Sequence, residues 1–200
     1  MNWRPAGPRA ALIECSSQEQ VAALYAAALA QADEGIEERV PAARSLLLIG
    51  ARAQALAQQL CVSRLTEIAA PDQPLIEIPV RYDGEDLDSV AQLTGLSRAK
   101  LIAAHSGADW RVAFCGFAPG FAYLTGGPEI LQVPRHREPR KRVPKGAVAV
   151  AGEFTGIYPR ESPGGWQLLG HTDVSLWNLQ RQPPALLQPG TRVRFVVQGS

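Results

Sequence analysis

Cysteine is scarce in this sequence of 200 residues, and neither sign of charge prevails. The three cysteines, Cys15, Cys61 and Cys115, lie far apart and include no Cys-x-x-Cys pair. Such a set fits neither a disulfide framework nor a structural zinc site, so we expect reduced thiols. Because 20 Lys and Arg face 19 Asp and Glu, the formal net charge is only +1. This balance provides no global field that would hold nucleic acid.

Long apolar runs are also missing. The longest uncharged stretch of the N-terminal half, residues 21–30, has half the roughly 20 residues that a membrane-spanning helix needs. The first residues lack the basic head, apolar stretch and cleavage site of a secretory signal. We therefore expect a cytoplasmic protein with no membrane segment. Hydrophobic residues make up 46% of the chain, enough to bury a core in one or two domains.

Strand-like and helix-like segments alternate in the first part of the chain. The helix expected after Cys15 is opened by Ser16-Ser17-Gln18-Glu19, which has the Ser-x-x-Glu form of a capping box. The alternation predicts a small α+β domain, residues 1–85, with two helices on one face of a sheet. Its expected strands are residues 10–14, 44–49 and 75–82, and its expected helices are residues 17–33 and 51–60.

The second predicted domain, residues 86–200, has a different texture. Two short helices, residues 86–94 and 97–105, are expected to form a connector. After residue 110, Gly and Pro become frequent and the apolar runs shorten, which favours a compact β-barrel over an open sheet. The expected barrel strands are residues 110–116, 147–151, 156–158, 167–170 and 192–197.

The segment 116–124 places three aromatic residues around a Pro-Gly turn. This arrangement can form one wall of a concave apolar site. The alternative is core packing at a barrel corner, which these residues taken alone favour.

A basic run follows at residues 134–145, where six Lys and Arg face one Glu, a local balance of +5. Prolines at 134, 139 and 144 prevent a helix, so we expect an extended loop whose guanidinium groups can bind a carboxylate or phosphate. The alternatives are a solvated basic loop and a nucleic-acid site. The run lacks the interleaved aromatic residues of a stacking platform, so we expect no nucleic acid.

Residues 152–172 combine hydroxyl groups with turn-forming glycines, a composition suited to orienting a small polar ligand. Ser162 does not occur in a Gly-x-Ser-x-Gly motif, so a serine hydrolase is not expected. Cys115 paired with His105 or His171 is an alternative nucleophile, although a lone cysteine in an apolar strand usually only packs. The histidines have no metal-site spacing, and we expect no metal. The chain has no Gly-Lys dipeptide and hence no phosphate loop.

Several motifs occur in a characteristic order. They are Gly116-Phe-x-Pro-Gly-Phe-x-Tyr-Leu124, Pro134-Arg with Pro139-Arg, Val143-Pro-x-Gly146, Thr155-Gly-Ile-Tyr-Pro159, Ser162-Pro-Gly-Gly-Trp166 and Gly170-His-Thr172. Tyr82-Asp-Gly-x-Asp-Leu87 and His105-Ser precede them. Together they resemble the allophanate hydrolase subunit 1 family over nearly the whole chain.

The resemblance implies a small N-terminal α+β (ferredoxin-like) domain followed by a cyclophilin-like β-barrel. It also implies a component of an ATP-dependent 5-oxoprolinase, which acts with the A and C subunits of that enzyme to open the cyclic amide 5-oxoproline to L-glutamate. We expect the chain to be inactive alone and ATP to be bound elsewhere in the complex. Two alternatives remain open: a non-catalytic regulator that inhibits a sensor histidine kinase, and a component of an allophanate or urea amidolyase.

The resemblance also suggests site residues, whose roles are hypotheses. A cyclic amide with a carboxylate needs a cation, donors to its ring carbonyl and an apolar wall. We expect His105 to transfer protons, since imidazole suits acid-base work near neutral pH. The expected substrate-binding residues are Arg135 or Arg140 as the cation, Thr155, Ser162 or Thr172 as donors, Phe117, Tyr123 and Trp166 as the wall, and Tyr158. The other family positions are Pro119, Gly120, Gly164 and Gly165.

Overall fold

A computed structural model describes residues 1–31, 34–62 and 75–199. The chain divides into two compact units, Met1–Gln73 and Pro74–Ser200. Each unit buries its own cluster of apolar side chains. Among the described residues, no helix combines the length and the apolar character needed to cross a bilayer.

The first unit contains an antiparallel four-stranded sheet in the order β1-β2-β4-β3 and two helices. The run β2-α1-β3-β4-α2 follows the succession of a ferredoxin-like fold, and β1 pairs with β2 at the edge of the sheet. The elements are β1 (Asn2–Pro5), β2 (Ala10–Glu14), α1 (Gln18–Ala30), β3 (Glu38–Pro41), β4 (Ser45–Ile49) and α2 (Ala53–Val62).

The first helix begins one residue later than the motif predicted. Ser17, not Ser16, is the N-cap, and its hydroxyl accepts the amide of Gln20 at 3.3 Å. The Gln20 side chain in turn accepts the amide of Ser16 at 2.8 Å, so the reciprocal bonding of a capping box is present but displaced. The helix ends at Ala30, and residues 32–33 of the predicted helix lie outside the described part of the chain.

The second unit contains a seven-stranded sheet in the order β12-β9-β10-β7-β6-β13-β5, and β8 and β11 form a separate two-stranded ribbon. Its elements are β5 (Leu75–Val80), α3 (Leu87–Thr94), α4 (Arg98–Ser106), β6 (Trp110–Cys115), β7 (Ala122–Thr125), a 3-10 turn (Glu129–Leu131), β8 (Arg140–Val143), β9 (Ala147–Ala151), β10 (Phe154–Ile157), β11 (Ser162–Gly164), β12 (Gln167–His171) and β13 (Arg192–Val197).

The residues that follow β5 nearly close this sheet into a barrel. Arg81 and His171 exchange two backbone hydrogen bonds of 2.9 and 2.8 Å, which join the β5 end of the sheet to β12. The amides of Gly84 and Asp86 then donate to the Leu169 and Leu168 carbonyls, each at 3.1 Å. These bonds pair backbone N–H and C=O groups that would otherwise be left unpaired at the edges of the sheet. The predicted class, α+β with a β-barrel, is confirmed.

The predicted boundary between residues 85 and 86 is wrong, because the units divide at Gln73 and Pro74. The strand Leu75–Val80, which we assigned to the first domain, pairs in parallel with β13 of the barrel. Such pairing between segments far apart in sequence leaves no local signal. Helices α3 and α4 are likewise part of the barrel unit rather than a connector, since Leu87, Val90 and Leu101 are buried in its core.

Strand β9 separates two apolar layers. Its sequence Ala-Val-Ala-Val-Ala is buried at every position. Val148 and Val150 lie in the main core, whereas the alternating alanines, among them Ala149, lie in a second cluster with Phe121 and Trp166. Because successive strand residues point to opposite faces, the second cluster packs on the other face of β9.

Candidate functional site

Phe121 is the centre of an aromatic cluster in this second layer. Its ring makes edge-to-face contacts with Phe117, Tyr123, Tyr158 and Trp166 at centroid distances of 5.3, 5.0, 5.3 and 5.5 Å. These geometries are favourable for aromatic quadrupoles. The structure therefore brings the predicted wall residues together, although Trp166 and Tyr158 are almost fully buried and only the Phe117 ring is largely exposed.

Phe117 has an unusual backbone. Its φ is +65°, the one positive value among the described non-glycine residues. The amide of Ala118 donates to the Gly116 carbonyl at 2.7 Å, so Phe117 is the central residue of a γ-turn of the strained, positive-φ type. The residue is 57% exposed, and its ring lies at the edge of the aromatic cluster. Strain that holds an aromatic ring at a surface is typical of functional sites.

Two glycines allow the rings to approach the backbone. A Cβ at Gly164 would lie 2.3 Å from the Tyr158 hydroxyl, and a Cβ at Gly156 would lie 3.1 Å from both the Phe121 and Trp166 rings. The Tyr158 phenol oxygen accepts the backbone N–H of Trp166, and burial is the main cause of its raised pKa. The glycines of the Thr155-Gly and Pro-Gly-Gly motifs therefore serve close packing.

The basic segment lies along the start of β12. The amide of His136 donates to the Gly165 carbonyl at 2.8 Å, and the side-chain amide of Gln167 donates to the Pro134 carbonyl at 3.1 Å. These bonds place the Arg135 guanidinium 5.8 Å from the centre of the Trp166 ring, a cation–π distance. Further along, Arg140–Val143 forms strand β8 instead of the expected loop.

The two candidate cations differ in their partners. Arg140 donates from Nη2 to Oδ1 of buried Asp86 at 2.6 Å, and its Nε lies 3.5 Å from the Glu85 carboxylate. Arg135 is exposed and, within the described part of the chain, makes no hydrogen bond or ion pair. Arg135 is therefore the cation that can form a new bond to an anion without losing an existing one.

The three predicted hydroxyl donors do not converge. Thr155 is fully buried and donates to the Ala149 carbonyl at 3.0 Å. Ser162 donates to the Arg160 carbonyl at 3.4 Å, and Thr172 accepts the amide of Val174 at 3.3 Å. Each hydroxyl thus satisfies its own turn or strand, and the structure does not gather them as donors to one ring carbonyl.

His105 lies in the barrel core with no exposed surface. Because the Thr155 hydroxyl donates to Ala149, it accepts from Nε2 of His105 at 2.8 Å, and the Tyr82 hydroxyl donates to Nδ1 at 2.8 Å. Both ring nitrogens are thereby satisfied, and burial lowers the pKa of the imidazole to about 3. This environment favours a structural histidine that is neutral in the folded barrel near pH 7, and it argues against the predicted proton transfer.

The alternative nucleophile has an unfavourable environment. Cys115 is a partly buried thiol that donates to the Leu187 carbonyl at 3.5 Å, and burial raises its pKa to about 11. His171 instead bonds to Arg81 and Asp83. Within the described ranges, no three His, Cys, Asp or Glu side chains are grouped to hold a metal ion. A cavity of about 10 Å³, room for one water, is lined by residues that include Trp110, Val150 and Phe154.

Sequence reasoning did not predict which polar side chains support the basic segment. Asp86, His136 and Gln167 bond it to β12, and Phe121 is the centre of the aromatic cluster. Asp86 lies in the Tyr82-Asp-Gly-x-Asp-Leu87 motif, which the sequence analysis uses only for the family resemblance. That motif was the available signal.

Two exposed groups mark this site, the Arg135 guanidinium over Trp166 and Phe117 at the edge of the aromatic cluster, and together they suit a small anion with an apolar body. The sequence matches the model of the carboxyltransferase domain, subdomains C and D, over residues 1–187. The chain belongs to this carboxyltransferase-domain family. The B subunit of 5-oxoprolinase from Escherichia coli O157:H7 is 42% identical over 172 residues, which are 82% of this chain and 78% of that protein.

Other relatives support the family assignment. The B subunit of 5-oxoprolinase from Bacillus subtilis (strain 168) is 43% identical over 139 residues, 66% of this chain and 58% of that protein. The crystal structure of TTHA0988 has a TM-score of 0.76 and 40% identity, and the match covers 96% of this chain but only 40% of that one. Urea amidolyase of K. lactis shares the fold alone, with a TM-score of 0.72 and 19% identity over 98% of this chain and 15% of that one.

Proposed function

We propose that this chain is the B subunit of an ATP-dependent 5-oxoprolinase, which opens 5-oxoproline to L-glutamate together with the A and C subunits of that enzyme. The proposal is supported by relatives of that name at 42% and 43% identity. The structural observation that carries it is an unpaired Arg135 held over Trp166 beside an aromatic cluster. A small ring with one carboxylate matches these two features.

In this proposal Arg135 binds the substrate carboxylate, and the exposed Phe117 ring covers one face of the substrate. A guanidinium can bind a carboxylate through two parallel hydrogen bonds, which fixes the orientation of the ligand as well as its position. A substrate packed against the aromatic rings would exclude water from these bonds and so strengthen them. Arg140 contributes indirectly, since its charge is already paired with Asp86.

ATP is not assigned to this chain. The sequence has no Gly-Lys dipeptide, so it lacks the phosphate-binding loop in which that dipeptide occurs. The basic segment contains a strand and does not form the helix N-terminus at which phosphates often bind. We place ATP, and with it the activation of the amide, on one of the partner proteins. This chain alone is then inactive, and its residues bind and orient the substrate. The urea amidolyase relationship makes amide chemistry on allophanate the second candidate.

The test is ATP-dependent release of glutamate from 5-oxoproline by the purified chain, alone and with candidate A and C subunits. We expect glutamate release only when all three subunits are present. Arg135→Ala should raise KM by about 10- to 100-fold, because it removes a charged hydrogen bond to the substrate carboxylate. Arg137→Ala, which removes an exposed charge two residues away, is the matched control and should leave KM unchanged.

Two results would contradict the proposal. If no mixture of folded subunits releases glutamate, the reaction is wrong, and binding to a sensor histidine kinase or turnover of allophanate should be measured next. If the mixture is active and Arg135→Ala behaves like Arg137→Ala, the reaction stands but the carboxylate is bound elsewhere.

A further inference from the structure

Asp86 does not act as the helix cap that its position suggests. It is the N-cap residue of α3, yet its side chain makes no hydrogen bond to the helix. Instead Oδ2 accepts the amide of Leu168 at 2.6 Å, and Oδ1 accepts Nη2 of Arg140 at 2.6 Å. Nε2 of His136 lies 3.2 Å from the same Oδ1. An N-cap aspartate usually bonds to its own helix, so one that bonds to distant segments instead indicates that its carboxylate is needed between those segments.

The partners of Asp86 lie on both sides of the contact between the basic segment and β12. Leu168 belongs to β12, whereas His136 and Arg140 belong to the segment that carries Arg135. Asp86 is only 5% exposed, so its bonds to these partners are shielded from water. The buried Asp86 carboxylate therefore bonds both to β12 and to the basic segment, the two segments that bring Trp166 and Arg135 together.

Three buried side-chain atoms in this network make no hydrogen bond among the described residues. They are Nη1 of Arg140, Oε1 of Gln167 and Nε2 of His136, which lies within ion-pair distance of Asp86. The Gln167 residue is 5% exposed, and its other amide atom is bound to Pro134. Unpaired buried polar atoms are rare in proteins, and here a donor and an acceptor occur together in the segments that Asp86 joins.

We infer that Asp86 is a positioning residue for anion recognition at this site. It neutralises and orients Arg140, and this pair acts together with the His136–Gly165 and Gln167–Pro134 bonds to hold the basic segment so that Arg135 lies over Trp166. Asp86 itself does not touch the ligand. The inference rests on the proposed function for the identity of the anion, but the arrangement of the arginines can be tested without it.

The first test compares Asp86→Asn with Asp88→Asn in the reconstituted complex. Asp88 is an exposed residue of the same helix, where its carboxylate lies 3.5 Å from Arg98, and it serves as the matched control. For Asp86→Asn we expect KM for 5-oxoproline to rise about tenfold or more while kcat per folded complex stays within about threefold. An unchanged KM would overturn the inference, as would an equal loss of kcat.

A second variant separates positioning from charge balance. Asp86→Asn/Arg140→Gln removes both members of the buried pair, so it should recover the thermal stability that Asp86→Asn loses. The KM should remain raised, because the segment is no longer anchored. If the double variant restores KM to the wild-type value, Asp86 only cancels a charge, and the positioning role is wrong.

A third measurement does not depend on the reaction. Phenylglyoxal modifies accessible guanidinium groups, and peptide mass spectrometry reports the rate for each arginine. We expect Arg140 to be protected in the wild type and in Asp88→Asn, and to react about tenfold faster or more in Asp86→Asn, while the rate of Arg137 is unchanged. Equal protection of Arg140 in all three proteins would overturn the inference even if the complex proved to have another substrate.

Discussion

Replacement of His105 by Gln should remove a large part of the acid sensitivity of the barrel unit. The imidazole is buried without exposure, and its pKa falls from 6.5 to about 3 on folding because burial disfavours the charged form. In the unfolded chain the same group is protonated below about pH 6.5. The unfolded state therefore binds more protons between these two values, and acid favours unfolding.

The direction and the size of the change in unfolding free energy follow from this difference in pKa. A group whose pKa is depressed in the folded protein contributes stability above its unfolded pKa and loses it as the pH falls towards its folded pKa. At about pH 5 nearly every unfolded His105 is charged and nearly every folded one is neutral. The free energy of unfolding should then be lower by about 2 kcal/mol than at about pH 8 from this residue alone.

The assay is urea unfolding followed by tryptophan fluorescence at both pH values. Trp3 lies in the first unit, so a Trp3→Phe background leaves three of the four tryptophans, all in the barrel unit. In the His105→Gln variant the side chain at position 105 does not titrate, and all other titratable groups are common to both proteins and cancel in the comparison. At pH 8 the variant should be less stable than the wild type, because the substitution removes the stacking contact between His105 and Phe195, whose ring centroids are 4.5 Å apart.

The reasoning would be refuted by an equal loss of stability in both proteins between the two pH values. That result would mean that His105 accepts a proton in the folded barrel. It would also revive the proton-transfer role, for which the ring must be able to change its charge.

The remaining predictions concern packing and reactivity. Phe117→Gly should change stability by less than about 1 kcal/mol, since relief of the positive φ offsets the lost ring contacts, while KM rises. Gly164→Ala should cost about 1–3 kcal/mol in thermal unfolding, because its Cβ would lie 2.3 Å from the Tyr158 hydroxyl, whereas Gly165→Ala makes only ordinary contacts of 3.6 Å or more and should be nearly neutral. Cys115, with its pKa raised to about 11, should be alkylated at about pH 8 more than about 100-fold slower than after unfolding, as peptide mass spectrometry would show.

Local patterns were sufficient where an element has a composition of its own. The strands Ala147–Ala151 and Arg192–Val197 occur at the predicted residues, and Ser97 caps α4 through the amide of Lys100. Strands with the wrong composition were missed. For example, Ser162–Gly164 contains a proline and Arg140–Val143 is charged, yet the two pair as a ribbon.

The candidate site shows the same division. The aromatic residues and the basic run were visible as clusters in the sequence, and the structure places Phe117, Tyr123 and Trp166 around one centre. The hydroxyl groups were only neighbours along the chain. Strand alternation and turn bonding direct Thr155 and Ser162 to different partners, and no sequence spacing reveals this.

The sequence by itself determined the class of the fold, the family and the residue types of the site, because periodicity, turn residues and motifs are properties of neighbouring positions. Only the tertiary structure decided which charges remain available. Arg135 and Arg140 are equivalent in sequence, yet the chain brings Asp86 from a distant segment to Arg140 and leaves Arg135 unpaired over Trp166. Ionic pairing depends on distances of a few ångströms between segments, and these are set by the closure of the barrel.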